Sequence, residues 1–213
     1  MTDAPQENPL DADRRAVLQA MLPHVAFDGW SCTALRRAEQ DTGTMPGLFE
    51  GPMQVLGFWM AECDRDLLVQ AAARDLAGLR IRERITALVR LRLEMMQPHR
   101  EALRRALSAQ MLPGRQGRAL RGLFASADAI WHAAGDNATD FNWYTKRALL
   151  SGVYASTLLY WLNDDSEAQE ASWEFLDRRI ADVMRIQGGK GRVGRLRERL
   201  RPRWRRGGEA APA

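Results

Sequence analysis

The chain has 213 residues, with 31 Lys+Arg against 27 Asp+Glu, a formal net charge of +4 and a pI near 9.6. That length provides one domain, two at most, and enough chain to bury a core. Hydrophobic residues at 46% and charged residues at 27% exclude wholesale disorder. Two cysteines, Cys32 and Cys63, build neither a disulfide framework nor a zinc site by themselves, and both are expected to behave as small buried hydrophobes. No stretch reaches the roughly 20 apolar residues of a membrane-spanning helix. The acidic, proline-containing start from Thr2 to Asp13 lacks the basic and apolar regions of a signal peptide, so a soluble intracellular domain is expected, with residues 1–10 flexible.

Helical periodicity dominates, and no run of alternating β-branched residues suggests a strand, so the class is all-α. A first helix is predicted from about Asp11 to Pro23, with Val17, Leu18 and Met21 on one face. Phe27-Asp28-Gly29-Trp30 reads as a turn, and Trp30 or Ser31 opens a short second helix through Ala34, Leu35 and Ala38. Gly43, Pro46, Gly47, Gly51 and Pro52 interrupt the chain before a helix over roughly Pro52–Leu76. Leu79–Met96 carries the stripe Ile81, Ile85, Leu88 and Val89, and Pro98 suits the first turn of the next helix, which ends at Leu112-Pro113-Gly114. Gln116–Ala134, Thr139–Leu162 and Glu167–Gln187 follow, the second capped by Thr139-Asp140 and the third striped by Trp173, Leu176, Ile180, Val183 and Met184. Gly188-Gly189 is expected to form a hinge, dividing a helical domain at 11–187 from a tail at 188–213.

The positive charge sits in that tail. Residues 190–213 hold nine basic and two acidic groups, +7, whereas the preceding 189 residues hold 22 basic and 25 acidic groups, −3. Within Arg192–Arg206 the apolar residues Val193, Leu196, Leu200 and Trp204 are spaced three, four and four apart, with Arg195 and other arginines around them. This is the pattern of an interfacial helix lying on an anionic membrane. A solvated basic tail and an RNA-binding stretch compete with it, and Gly194 and Pro202 limit the helix.

Catalytic signatures are scarce: GxGxxG, GxxxxGK[ST], HExxH and GxSxG are all missing from the sequence. Asp128 and His132, at i,i+4, are the one pair that could present metal ligands, and an enzymatic reading survives only through them. Neither a metal nor a cofactor is expected. The spacing of the N-terminal helices is that of a helix-turn-helix and resembles the DNA-binding domain of the TetR repressors. From Gln40 to Glu62, however, where a recognition helix would lie, there is no Lys or Arg to neutralise phosphate or read base edges. The scaffold is expected to be vestigial, without nucleic acid as a partner.

Two stretches invite contact with something else. Asp140-Phe141-Asn142-Trp143-Tyr144-Thr145-Lys146-Arg147 packs aromatic and hydrogen-bonding groups too densely for all to face inward. A partner-docking patch and a capped helix start with one aromatic buried are equally compatible with it. Ala148, Gly152 and Ser156 form a ridge of small residues suited to a core or dimer seam. Around it, Phe124, Ile130, Trp131, Tyr154, Leu158 and Trp161 are the candidates for an apolar ligand pocket, with a packed core as the competing reading.

Phe27-Asp28-Gly29-Trp30-Ser31, Arg82-Glu83-Arg84-Ile85, Pro98-His99-Arg100-Glu101-Ala102, and above all Ala127–Trp131 through the Asp140–Arg147 run to Phe175–Ile186 together resemble the coenzyme Q nine family of ubiquinone-biosynthesis proteins, over about residues 14–187. The resemblance implies a TetR-like helical bundle with a C-terminal amphipathic helix, forming a non-enzymatic homodimer. It implies that the protein binds ubiquinone precursors and other lipids such as phospholipid, and presents the isoprenoid to the demethoxyubiquinone hydroxylase or an equivalent enzyme. Carried onto this chain, Asp140, Asn142, Trp143, Tyr144 and Arg147 would meet that enzyme. The Arg-rich terminal helix and the missing transit peptide set the chain apart from mitochondrial members. A protein peripheral to the inner, cytoplasmic face of a bacterial membrane is therefore expected. A TetR-type regulator of DNA with a hydrophobic ligand is the alternative.

Overall fold

The computed structural model describes residues 9–136 and 142–199, and these contain eight α-helices, two short 3₁₀ turns and no strand. The helices are α1 (Pro9–Asp28), α2 (Cys32–Thr42), α3 (Pro52–Ala72), α4 (Ile81–Met95), α5 (Arg100–Gln110), α6 (Gln116–Ala133), α7 (Asn142–Trp161) and α8 (Glu170–Arg199). The predicted class and helix order are those of the structure.

Helix α1 runs five residues past Pro23, where the sequence predicts its end. Proline removes one backbone donor and crowds the preceding turn, but Val17, Leu18, Met21, Leu22 and Val25 form one stripe that spans Pro23 and is at most 2% exposed. Burial of that stripe outweighs the lost hydrogen bond. Gly29, at φ 66°, ends the helix in the left-handed region, and its N–H donates to the Val25 carbonyl at 3.0 Å. Ser31 then caps α2 by accepting from the Ala34 N–H. Trp30 locks this corner onto the body: its indole N–H donates to the Ala102 carbonyl at 3.0 Å and its ring stacks on Trp59.

Where a helix-turn-helix would place its third helix, residues 43–51 are turns and bends. Gly43 and Gly47 take positive φ, and Phe49 turns inward to 5% exposure. The expected vestigial scaffold is present as two helices and a loop.

The middle of the bundle is tied by one buried cation. Arg92 on α4 is 1% exposed, and its guanidinium is met from three other helices. Its Nε donates to Asp64 Oδ1 of α3 at 2.8 Å, one terminal nitrogen to Ser126 Oγ of α6 at 2.9 Å, and the other to the Tyr154 hydroxyl of α7 and to Met96 Sδ. Ser126 in turn donates to the second oxygen of Asp64 at 3.2 Å. Cys63, beside this cluster, is buried as expected, and burial pushes its thiol up to about 11 against the opposing pull of Arg92, so it stays protonated and inert. Cys32 departs from expectation: it opens α2 on the outer side and is exposed.

A second set of arginines closes the far end of α7. Arg100 donates to the carbonyls of Trp161 and Asp164, each at 2.6 Å, and Arg104 donates to that of Leu162. Cations at a helix C-terminus satisfy its unpaired carbonyls and complement its dipole. Asp164 then organises the start of α8, accepting from the backbone N–H groups of Ser166 and Ser172 and from the Ser172 hydroxyl. Burial alone would raise the Asp164 carboxyl, but these donors outweigh it and hold the group at about 2.

Helix α8 continues through Gly188-Gly189 to Arg199, so its backbone has no break where the sequence predicts a hinge. Val193, Arg195 and Leu196 fall on this helix; Leu200 and Trp204 lie outside the described residues, as do residues 1–8 and the Thr139-Asp140 cap, while Pro9 and Leu10, expected to belong to a flexible start, open α1. No described helix is long and apolar enough to cross a membrane.

Replacing Arg92 by Met should destabilise the fold by about 3–5 kcal/mol in urea titration, because it leaves Asp64 as an unpaired, largely buried charge. Adding Asp64→Leu to that variant should restore much of the loss.

Candidate functional site

Helices α4, α6, α7 and α8 enclose a cavity of about 60 Å³. Its walls are Ile81 and Ile85 from α4, Leu149, Leu150 and Val153 from α7, and Ile180, Val183 and Met184 from α8, with Trp131 contributed by α6. Helical spacing of three and four brings each group to one face. Two cations complete the lining, Arg82 and Lys146. Lys146 Nζ is held by Asp136 Oδ1 at 2.9 Å and sits 5.4 Å above the centre of the Trp131 ring. The chemistry of the space is apolar with a cationic border, the arrangement that suits an amphipathic ligand rather than a polar metabolite.

Arg84 fixes the geometry. It donates to the carbonyls of Leu79 and Ala77 before α4 and to that of Ala134 after α6, so the start of α4 is clamped against the end of α6. A Cβ at Gly135 would stand 3.5 Å from the Arg84 guanidinium, and the left-handed backbone there, at φ 88°, disfavours any side chain.

Of the six residues proposed for a pocket, Trp131 alone lines this cavity. Ile130, Tyr154, Leu158 and Trp161 are packed in the core at 0–7% exposure. Tyr154 is bonded to Arg92, and the Trp161 indole to Gln169. Successive helical residues diverge by 100°, so Val153 faces the cavity where Tyr154 faces the core. Phe124 lies elsewhere, packed on Trp143. Five of the eleven lining residues come from the apolar stripes of α4 and α8, which periodicity marks but reads as ordinary core.

The other candidate surface is an aromatic face shared by α6 and α7. Phe124 and Trp143 have ring centres 5.6 Å apart, Trp143 meets Tyr144 edge-on at 4.6 Å, and Leu120 stands one turn before Phe124. Tyr144 is 67% and Leu120 65% exposed. Arg147, expected on this surface, lies beneath it at 3% exposure. Its guanidinium is 4.0 Å from the centre of the Trp143 ring and is paired with Asp128, with Asp136 Oδ2 at 3.9 Å. Arg147 therefore supports the aromatic platform from inside. The same pairing engages Asp128, and among the described residues no group of three metal-ligating side chains converges. Asp140 and the side chain of Asn142 lie outside what is described. Asp136 joins the two features, because it holds Lys146 at the cavity and faces Arg147 under the platform.

Arg147→Ala should lower stability by about 1–3 kcal/mol, reduced from a fully buried pair by the exposure of Asp128. It should also weaken the near-ultraviolet circular dichroism of the aromatic face. Arg147→Lys should not rescue either, since an ammonium lacks the planar fork that stacks on Trp143 while reaching both carboxylates.

Residues 117–187, which span α6, α7, the aromatic face and three of the four cavity walls, match the COQ9 family. The chain is 34% identical over 185 residues to the ubiquinone biosynthesis protein COQ9, mitochondrial, of Rattus norvegicus, covering 80% of this chain and 58% of that protein. To its Homo sapiens counterpart it is 34% identical over 182 residues, covering 80% and 57%. To the probable Dictyostelium discoideum protein it is 27% identical over 180 residues, covering 79% and 59%. The chain thus spans somewhat under three-fifths of the length of these relatives. Their names are mitochondrial, which overturns the expected placement at a bacterial membrane. In structure, a TetR transcriptional regulator from Nitrosomonas europaea superposes with a TM-score of 0.66 over 80% of this chain and 97% of that one, at 19% identity, a likeness of fold alone. The matched segment and the similarity across four-fifths of its length place this chain in the COQ9 family, built on a TetR-like helical fold.

Proposed function

We propose that this chain acts in ubiquinone biosynthesis as a non-enzymatic, membrane-associated lipid-binding protein. It would hold an isoprenoid intermediate and present it to a hydroxylase acting on the quinone ring. The observation that carries this reading is the apolar cavity between α4, α6, α7 and α8, three of whose walls fall inside the segment shared with the COQ9 family. At about 60 Å³ the cavity has room for two waters, well below the roughly 300 Å³ at which ligand pockets begin. Binding therefore requires the walls to part. Helix α8 supplies the wall with the most exposed apolar member, Met184 at 46%, and continues directly toward the basic tail.

Two surfaces support the remaining parts of the proposal. The exposed Leu120–Phe124–Trp143–Tyr144 face has the aromatic composition of an interface hot spot and is the docking site for the enzyme. The exposed side of α7 presents the small residues Ala148 and Gly152 together with Leu159, a surface a second copy of the chain would cover. The tail, with nine basic groups in 190–213, gives attraction of about 1 kcal/mol per residue to an anionic bilayer. DNA binding is the weaker reading, because the loop at 43–51 replaces a recognition helix and carries no cation.

Solvent extraction of the purified protein followed by mass spectrometry should yield a prenylated aromatic or quinone lipid. Protein that carries none, and takes up none from vesicles, would overturn the lipid role. Deleting residues 190–213 should abolish most co-sedimentation with phosphatidylglycerol-containing vesicles, and raising the salt should weaken binding of the intact chain. Unchanged sedimentation of the truncated protein would remove the tail from membrane binding.

A further inference from the structure

Among the described residues, one polar group in the cavity wall has no hydrogen-bond partner. The indole Nε1 of Trp131 is buried and has no hydrogen-bond acceptor among the described residues. The rest of the residue is accounted for: its carbonyl accepts from the Asp136 N–H at 3.0 Å, and its ring face is covered by Lys146 Nζ. The neighbouring walls are Ile, Leu, Val and Met side chains, which offer no acceptor, and the two polar side chains of the lining, Arg82 and Lys146, are cations that only donate. Lys146 is already neutralised by Asp136, whereas Arg82 is exposed and forms no ion pair with a described residue. Buried polar groups are almost always paired, so an unpaired donor on the wall of an apolar cavity marks the place of a ligand atom.

We propose that Trp131 is the specificity-determining residue of this cavity. Its indole N–H donates to an oxygen on the ring of the bound lipid, a quinone carbonyl or a phenolic oxygen, so the cavity selects oxygenated aromatic head groups over isoprenoid hydrocarbon. The inference rests on the lipid-binding reading above and adds the direction in which the ligand lies. The oxygenated ring is placed at the α6 end, between Trp131 and Lys146, and the tail runs toward Met184, whose unbranched, half-exposed side chain is the most easily displaced part of the wall. The polar side chains that line the head-group position, Trp131, Lys146 and Arg82, all donate, so a ligand oxygen that accepts fits it, and a hydrocarbon would leave the indole unpaired.

The test uses the full chain with its tryptophan indoles ¹⁵N-labelled and its isoleucine methyls ¹³C-labelled. Two probes are compared, a benzoquinone bearing a two-isoprene tail and a benzene bearing the same tail. Loss of one indole resonance in Trp131→Phe assigns Trp131, and the Ile85 methyl reports occupancy of the cavity. The quinone should shift both signals of the unmodified protein, and the benzene should shift Ile85 while leaving the Trp131 N–H without a new acceptor. In Trp131→Phe, which keeps an aromatic ring beneath Lys146 and removes the donor, the ratio of quinone to benzene affinity should fall about tenfold, the value of one hydrogen bond. If the quinone moves Ile85 but not the Trp131 indole, or if the variant keeps the full ratio, the specificity role is overturned while the lipid-binding reading stands. If neither probe moves Ile85, the cavity is not the lipid site and both fall. Should the variant fail to fold, the resonances of the unmodified protein decide the matter, the candidate indole being assigned by its through-space contacts with Lys146.

Discussion

The buried guanidinium of Arg92 is the constraint around which the bundle is arranged. An arginine at 1% exposure is tolerable only when its donors are met and its charge balanced, and no single neighbouring helix offers both. Asp64, Ser126 and Tyr154 come from three other helices, so α3, α6 and α7 must each stand at a fixed rotation and height relative to α4. Apolar contacts between helices tolerate sliding by part of a turn; a planar fork with directed hydrogen bonds does not. The register set there determines which residues of α6 and α7 face inward, and hence that Trp131 and Val153 reach the cavity while Ile130 and Tyr154 are committed to the core.

From this fixed centre the two functional features extend toward the junction of α6 and α7. Arg84 closes the start of α4 on the end of α6, Arg147 supports Trp143 from beneath, and Asp136 faces both Lys146 and Arg147. The cavity and the aromatic face consequently share one carboxylate and two successive residues of α7. A ligand that displaced Lys146 would act on Asp136, and through it on the platform beneath Trp143 and Tyr144. Helix α8 differs from the other walls. Asp164 fixes its start through Ser172, and beyond that it meets the bundle through the Trp173–Met184 stripe, apart from the polar network at Arg92.

Much of this was legible in the chain. The helix order, the Gly29–Ser31 corner, the loss of cations from the recognition region and the concentration of charge in the tail all follow from local chemistry, because caps, glycine backbones and charge runs act within a few residues. Pro23 and Gly188-Gly189 misled for a related reason. Both residue types disfavour helix locally, yet α1 crosses Pro23 because a buried stripe spans it, and α8 is continuous through the glycines. The family resemblance places Arg147 on the partner-facing surface, whereas Asp128 and Asp136, 19 and 11 residues earlier in the chain, permit its burial beneath that surface.

The sequence by itself determined an all-α chain, its helix boundaries to within a few residues except at the end of α8, an acidic body with a basic tail, and a family signature concentrated in α6 to α8. Those properties depend on periodicity, composition and residues close together along the chain. Only the tertiary structure decided which apolar residues enclose a space and which fill one, and which arginine is a support and which a border. An apolar stripe looks the same whether the facing helix fills the gap or leaves it. The difference lies in the packing of four helices at once, which no single stretch of sequence contains.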